Sequence, residues 1–152
     1  MINLARLQRE LIEDESCELH LYLDHLGYPT FGVGHLVRED DPEYGQPVGT
    51  PVSQERVDEC FKADIESVLN DCVRLYPTFE NMNEEVKLII ANMMFNLGYP
   101  RLSKFRKMKA AVDKGDLEEA ANQMADSKWA KVQVPNRAAR LVDRMRMEAV
   151  PF

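Results

Sequence analysis

Glu15, Asp24 and Thr30 fall within one short stretch, the two acids nine positions apart and the threonine six further on. Two carboxyl groups and a hydroxyl could together cleave a glycosidic bond. One carboxylic acid protonates the leaving oxygen, while the other carboxylate handles a water or the oxocarbenium-like charge. Taken singly the three residues are ordinary, because acids are mostly solvated at surfaces and threonine is common in strands. Their chemistry therefore depends on the elements that hold them.

Asn3 can cap a first helix that carries Leu4, Leu7, Leu11 and Ile12 on one face and fades near Asp14 or Glu15. Glu15 then sits at a helix end, where packed neighbours favour retention of a proton for donation. From Leu19 the period changes to two: Leu19, Leu21 and Leu23 alternate with His20, Tyr22 and Asp24, and Gly27 breaks the run before Thr30, Phe31 and Val33. That predicts a small antiparallel hairpin or meander. Asp24 falls at a strand end before a turn, where solvent and free backbone donors keep a carboxylate charged. Arg38 to Val52, rich in Asp, Glu, Pro and Gly, predicts a loop with at most a short third strand.

Ser53 can cap a long helix bearing Val57, Cys60, Phe61, Ile65, Val68, Leu69 and Cys72, which must stop before Pro77. Asn83 opens a segment that is apolar nearly all round through Leu97 and is stopped by Gly98, as suits the middle of a bundle. Two shorter helices are expected, one from about Leu102 to Lys114, closed by Gly115, and one from about Asp116 to Asp126. Pro135 fits the first turn of a last helix carrying Leu141, Val142 and Met145. The predicted fold class is α+β, mostly helical, with the strands near the N-terminus.

A chain of 152 residues is expected to form one domain. Nineteen basic against 26 acidic residues give a net charge of -7, which argues against a nucleic-acid partner bound through its phosphates. The run RLSKFRKMK from Arg101 to Lys109 is the one local basic candidate, and a solvated helix face is its simpler reading. No stretch reaches the roughly 20 apolar residues that span a bilayer, so no membrane insertion is expected. The N-terminal MINLARLQRELIEDE carries charges where a secretory signal needs an apolar core, so synthesis into the cytoplasm is expected. Cys17, Cys60 and Cys72 form no ligand cluster and read as reduced structural thiols. His20, His25 and His35 lack metal-ligand spacing, and Gly32-Val33-Gly34 lacks the third glycine of a dinucleotide loop. Trp129 reads chiefly as a packing anchor, with stacking on a sugar as the alternative.

Glu15, eight residues, Asp24, five residues and Thr30, followed by Gly32-Val33-Gly34-His35, resembles the catalytic region of the phage-type lysozymes, the muramidases with which tailed phages open bacterial cell walls. NMMFNLG (Asn92 to Gly98) is similar to the family's central buried helix, and SKWAKVQVPNRAARL (Ser127 to Leu141) to its tryptophan and proline-asparagine-arginine segment. Arg38 to Val52 is shorter than in the best-known member and does not align.

The resemblance implies a single lysozyme domain over residues 1–152, with a small β lobe at about 14–58 and a helical lobe at about 59–152 plus the N-terminal helix. The active cleft would lie between the lobes and the long helix would join them. By similarity Glu15 is the general acid, Asp24 the carboxylate across the sugar, and Thr30 helps to place the attacking water. An inverting reaction follows from the resemblance alone. Leu36 and Phe95 match positions lining the sugar cleft. Arg137 matches an arginine near the catalytic glutamate, where it would favour the charged form and oppose burial. His35 and Asp64 match a stabilising ion pair. Met108 and Gln123 stand where the best-known member has a serine and an asparagine, so sugar and peptide contacts are expected to differ, and the acidic net charge departs from that basic member too.

A cleft enzyme of this size is by default a monomer, and the resemblance implies no metal or organic cofactor. The protein would be made in the host cytoplasm and would act on the glycan strands of peptidoglycan after release. Two alternatives stand beside this. One is a wall-binding or structural relative that has lost catalysis, suggested by the acidic charge and the altered cleft positions. The other is a transglycosylase, disfavoured because such enzymes generally do without the second carboxylate.

Overall fold

The computed structural model describes residues 1–150, which form two compact units, one of residues 8–67 and one of residues 1–7 with 68–150. Pro151 and Phe152, the end of the expected helical lobe, lie outside the described residues.

The first unit is built on a three-stranded antiparallel sheet. The chain enters it through α1 (Leu4–Glu15), whose Asn3 cap accepts the backbone N–H of Arg6 at 3.1 Å. Strands β1 (Glu18–Leu23), β2 (Pro29–Gly32) and β3 (His35–Leu36) follow in spatial order β1-β2-β3. Pairing runs Glu18 to Gly32, Tyr22 to Thr30 and Leu23 to Pro29, then Thr30 to Leu36 and Phe31 to His35. A bulge between Glu18 and Tyr22 breaks the clean alternation that the leucines suggest. Leu21 is buried as expected, but Leu19 and Leu23 are 45% and 52% exposed.

The third strand also lies earlier than its expected place. It follows Gly34 directly, and residues 37–53 form the loop. The end of that loop returns along β1, where Leu21 donates to Thr50 O at 2.9 Å and Val52 to Leu19 O at 2.9 Å, with His20 bridged to Pro51. Leu11, Leu21, Phe31, Val33, Val52, Val57, Cys60, Phe61 and Ile65 supply the buried apolar side chains of this unit.

Helix α2 (Gln54–Leu75) starts where Ser53 accepts the N–H of Arg56 at 3.1 Å and ends ahead of Pro77. In the second unit α3 (Glu84–Leu97) is the buried centre: Leu88, Ile89, Ile90, Ala91 and Met93 are fully enclosed. Each such large side chain contributes about 1.5–3 kcal/mol through burial. Asn83 caps this helix by accepting from Glu85 and Val86, and Gly98 closes it.

The helix expected from about Leu102 to Lys114 is α5 (Arg106–Asp113), which starts later than expected, and a short α4 (Tyr99–Leu102) ends where it was expected to begin. Pro100 starts α4, and Phe105 at φ -78° and ψ 61° breaks the path between them, its ring packing edge-on against Trp129. α6 (Leu117–Ala125) begins at an Asp116 cap that accepts from Glu119 N–H at 3.1 Å. A wide π-type turn over Trp129–Gln133 leads into α7 (Pro135–Ala149), which packs against α6 and α3. Glu85 ties this unit's polar surface together. It accepts two bonds from Arg6 at 2.8 and 2.9 Å and one from Arg144 at 2.9 Å, and these bonds, the Arg6 pair foremost, hold its carboxyl below the usual range.

Candidate active site

Glu15, Asp24, Thr30 and Leu36 all belong to the unit of residues 8–67, while Phe95, Gln123 and Arg137 belong to the other. Glu15 is the last residue of α1 and is half-buried. Its carboxyl lies over the bare α-carbon of Gly34: a Cβ added there would stand 3.1 Å from the carboxyl carbon and from Oε1. Gly34 also adopts φ +61°, a conformation that favours glycine. Gly32, at φ +63°, has the same requirement, since an added Cβ would meet the Val57 side chain at 3.0 Å. The glycine-x-glycine pair thus has a steric cause: one brings β2 close to α2, and the other makes room for Glu15.

Asp24 holds the turn between β1 and β2. Its Oδ1 accepts the backbone N–H groups of Leu26 and Tyr28 at 2.9 and 2.8 Å, and its own N–H donates to Tyr28 O at 2.9 Å. The second carboxylate oxygen takes part in none of these bonds. Thr30 is only 2% exposed, and its hydroxyl donates to Tyr28 O at 2.9 Å, which commits the hydroxyl proton and leaves the oxygen as an acceptor. Leu36 pairs with Thr30 across β2 and β3 and is about half exposed.

His35 lies between two carboxylates. Nδ1 meets Asp64 Oδ2 at 2.7 Å, the pair that the resemblance implied, and Nε2 meets Asp41 Oδ2 at 2.8 Å, which sequence reasoning missed. A carboxylate at each nitrogen favours the doubly protonated ring. Burial, the largest single effect, favours the neutral ring, but the hydrogen bonds and charges of Asp64 and Asp41 outweigh it and raise its pKa. Asp41 in turn is drawn below its ordinary value: burial works the other way, and the Arg38 N–H, His35 and Arg56 overcome it. Arg56 joins the same cluster through Glu43 at 3.0 and 3.1 Å, Asp41 at 3.2 Å and Glu59 at 2.9 Å. The loop expected over residues 38–52 is thus anchored at Asp41 and Glu43 by His35 and Arg56.

In the other unit Phe95 is partly exposed on α3. Arg137 is buried, and its Nε donates to Asn92 Oδ1 at 2.8 Å. Gln123 donates to Glu119 one turn earlier at 2.9 Å and lines a pocket of about 390 Å³ with Lys104, Phe105, Arg106, Lys107 and Met108. Met108 itself is fully buried, so it serves packing. Trp129 is 2% exposed and donates to Asn96 Oδ1 at 2.7 Å, which makes it a packing anchor and leaves no ring face for a sugar. Burial pushes the thiol pKa of Cys60 up to about 11 and that of Cys72 up to about 12, as befits inert core thiols, whereas Cys17 is exposed and has no such structural role. Among the described residues no group of three His, Cys, Asp or Glu side chains is placed to hold a metal ion, and no helix is long and apolar enough to cross a membrane.

Residues 12–148 match the phage lysozyme family. The chain is 27% identical to probable T4-type lysozyme 2 of Dictyostelium discoideum, over 91% of this chain and 92% of that protein. It is 28% identical to the pre-baseplate central spike protein of Enterobacteria phage T4, over 86% of this chain but only 26% of that protein. It is also 29% identical to a peptidoglycan hydrolase of Pseudomonas phage phiKMV, over 91% of this chain and 15% of that protein. The chain therefore spans about a quarter or less of the two phage relatives and nearly all of the amoebal one. With the family match covering most of its length, the chain belongs to the phage lysozyme family, and with it to the glycoside hydrolases.

Proposed function

We propose that this chain is a muramidase that hydrolyses the β-1,4 bond between N-acetylmuramic acid and N-acetylglucosamine in peptidoglycan. Glu15 is the general acid and gives its proton to the leaving oxygen. A water donates one hydrogen to the Thr30 hydroxyl oxygen and the other to the free oxygen of Asp24, which turns a lone pair toward the anomeric carbon. As the water oxygen bonds to that carbon the glycosidic bond breaks, and Asp24 takes up the water's proton. Leu36, Phe95, Gln123 and Arg137 are the proposed substrate contacts, and the chain works as a monomer on glycan strands without metal or cofactor. It is made in the cytoplasm of the host and reaches the wall after release.

The observation that carries this reading is the division of labour at Asp24 and Thr30. Two backbone N–H groups fix one carboxylate oxygen and leave the other, and the threonine proton is already spent on Tyr28 O, so each group keeps an oxygen that can accept from a water. Inversion requires carboxyls roughly 6.5–9.5 Å apart with that water between them. Proton NMR of the first sugar released from purified peptidoglycan checks the stereochemistry: the α-anomer is expected, and the β-anomer would make Asp24 a nucleophile instead.

A further inference from the structure

Two residues, Ser16 and Cys17, join Glu15 to the sheet that carries Thr30 and the Asp24 turn, all within the unit of residues 8–67. α1 ends at Glu15 and β1 begins at Glu18, which pairs with Gly32, two residues before the Gly34 that lies under the Glu15 carboxyl. The chain thus leaves the acid, turns, and is back in the sheet beside it. With two soft dihedrals in each residue, so short a link makes every one of them decide where the helix end stands against the sheet.

Ser16 makes the turn. Its φ is +62°, and among the described residues it is the one non-glycine in the left-handed region. Its N–H donates to Ile12 O at 2.8 Å, which closes the last turn of α1 as a left-handed helix cap does. Glycine is the usual residue at such a cap, because a Cβ there crowds the following carbonyl. The serine hydroxyl offsets little of that cost, since its contact with Glu18 Oε1 is long, 3.4 Å, and exposed. The strained conformation is therefore imposed by the elements that the link connects.

We infer that Ser16 is a positioning residue of the hydrolytic site: its left-handed backbone sets Glu15 over Gly34 and so fixes the acid relative to Asp24 and Thr30. Thr30 lies on β2 and Asp24 in the turn after β1, so both move with the sheet, whereas Glu15 moves with the helix. With a negative φ at Ser16 the chain would either continue α1 or run on extended, and both paths carry Glu15 away from Gly34. A displaced acid loses its alignment with the leaving oxygen while the sugar contacts stay, so the chemical step suffers and binding does not. This inference rests on the proposed muramidase reading.

The test measures release of reducing ends from purified peptidoglycan by wild type, Ser16→Pro, Ser16→Val, Ser16→Asn and Ser16→Gly, each checked for folding by thermal melting. Proline cannot take a positive φ and lacks the N–H that closes α1; valine keeps that N–H but takes the conformation only under strain. Asparagine and glycine take it readily. Among folded proteins kcat should fall roughly ten- to a hundredfold in Ser16→Pro and by less in Ser16→Val, with KM unchanged. Ser16→Asn and Ser16→Gly should restore kcat to near the wild-type value. Ile89→Ala, in the core of the other unit, controls for lost stability: it should melt early and keep its kcat.

A folded Ser16→Pro protein with wild-type kcat overturns the inference, and if that variant does not fold, wild-type kcat in Ser16→Val does so. A loss in Ser16→Asn and Ser16→Gly as large as in Ser16→Val also overturns it, because the serine side chain and not the backbone conformation would then matter. If wild type itself releases no reducing ends, the muramidase reading has failed and this inference falls with it; an active wild type confines any failure to Ser16.

Discussion

The two units hold their interiors by opposite means. Around α3 the second unit is an apolar solid, with Leu88, Ile89, Ile90, Ala91 and Met93 fully enclosed and side-chain shape as the main constraint. The unit of residues 8–67 has a smaller apolar core and spends polar groups on geometry: Asp24 pins its own turn, His35 joins two carboxylates, and Arg56 joins three acids. Packing tolerates volume-conserving changes in side-chain identity, whereas charge-assisted bonds are shorter, stronger and geometrically specific. The candidate catalytic residues lie in the unit built by the second means.

The sharpest way to break this contrast is to remove a charge without removing a bond. Asp24→Asn keeps the oxygen that accepts from Leu26 and Tyr28, so its unfolding free energy should stay within about 0.5 kcal/mol of wild type. Its kcat should nonetheless fall at least roughly a hundredfold. Reducing-end assays and denaturant melts together check both halves. In the other unit Ile89→Ala should do the reverse, costing about 2–5 kcal/mol in urea melts while folded protein keeps its kcat.

Gly34→Ala should cost about 1–2 kcal/mol for the left-handed backbone and should also lower kcat, because its Cβ displaces the Glu15 carboxyl. Gly115→Ala, equally left-handed at φ +76° but in open space, should show the same stability loss in melts with no loss of activity. The smallest expected effect is a tilt of stability with pH. His35 has a raised folded pKa, so the stability it contributes is complete below its unfolded value near 6.5 and is lost as pH rises through the folded value. Asp41 has a lowered one, and its contribution is present above the ordinary aspartate value and lost as pH falls through the folded value. Melting temperatures across neutral pH should therefore decline in wild type and lie flatter in His35→Asn.

Most of the helical architecture was legible because its signals are local. Asn3 and Ser53 cap as their side chains predict, Asn83 opens its helix, the helix expected from about Asp116 starts there, and Gly98 and Pro135 bound helices as expected. The break at Phe105 was not legible, since it depends on a ring packing against Trp129 24 positions away. In the sheet, the period of two marked β1 but overstated its core, because a bulge moved Leu19 off the buried face. For the site, the spacing of Glu15, Asp24 and Thr30 was readable, as was the glycine pair, although its steric reasons were not. Asp41 and Arg56 carried no periodic signal, and acidic loops usually read as solvated.

The central claim is that Glu15 supplies the proton for glycosidic cleavage. Its most direct test is mass spectrometry of the muropeptides released from purified Gram-negative peptidoglycan by wild type and Glu15→Gln side by side. The expected result is reducing disaccharide-peptides, one water heavier than anhydro products, from wild type alone. Equal release by Glu15→Gln, or no release by either protein, would contradict it.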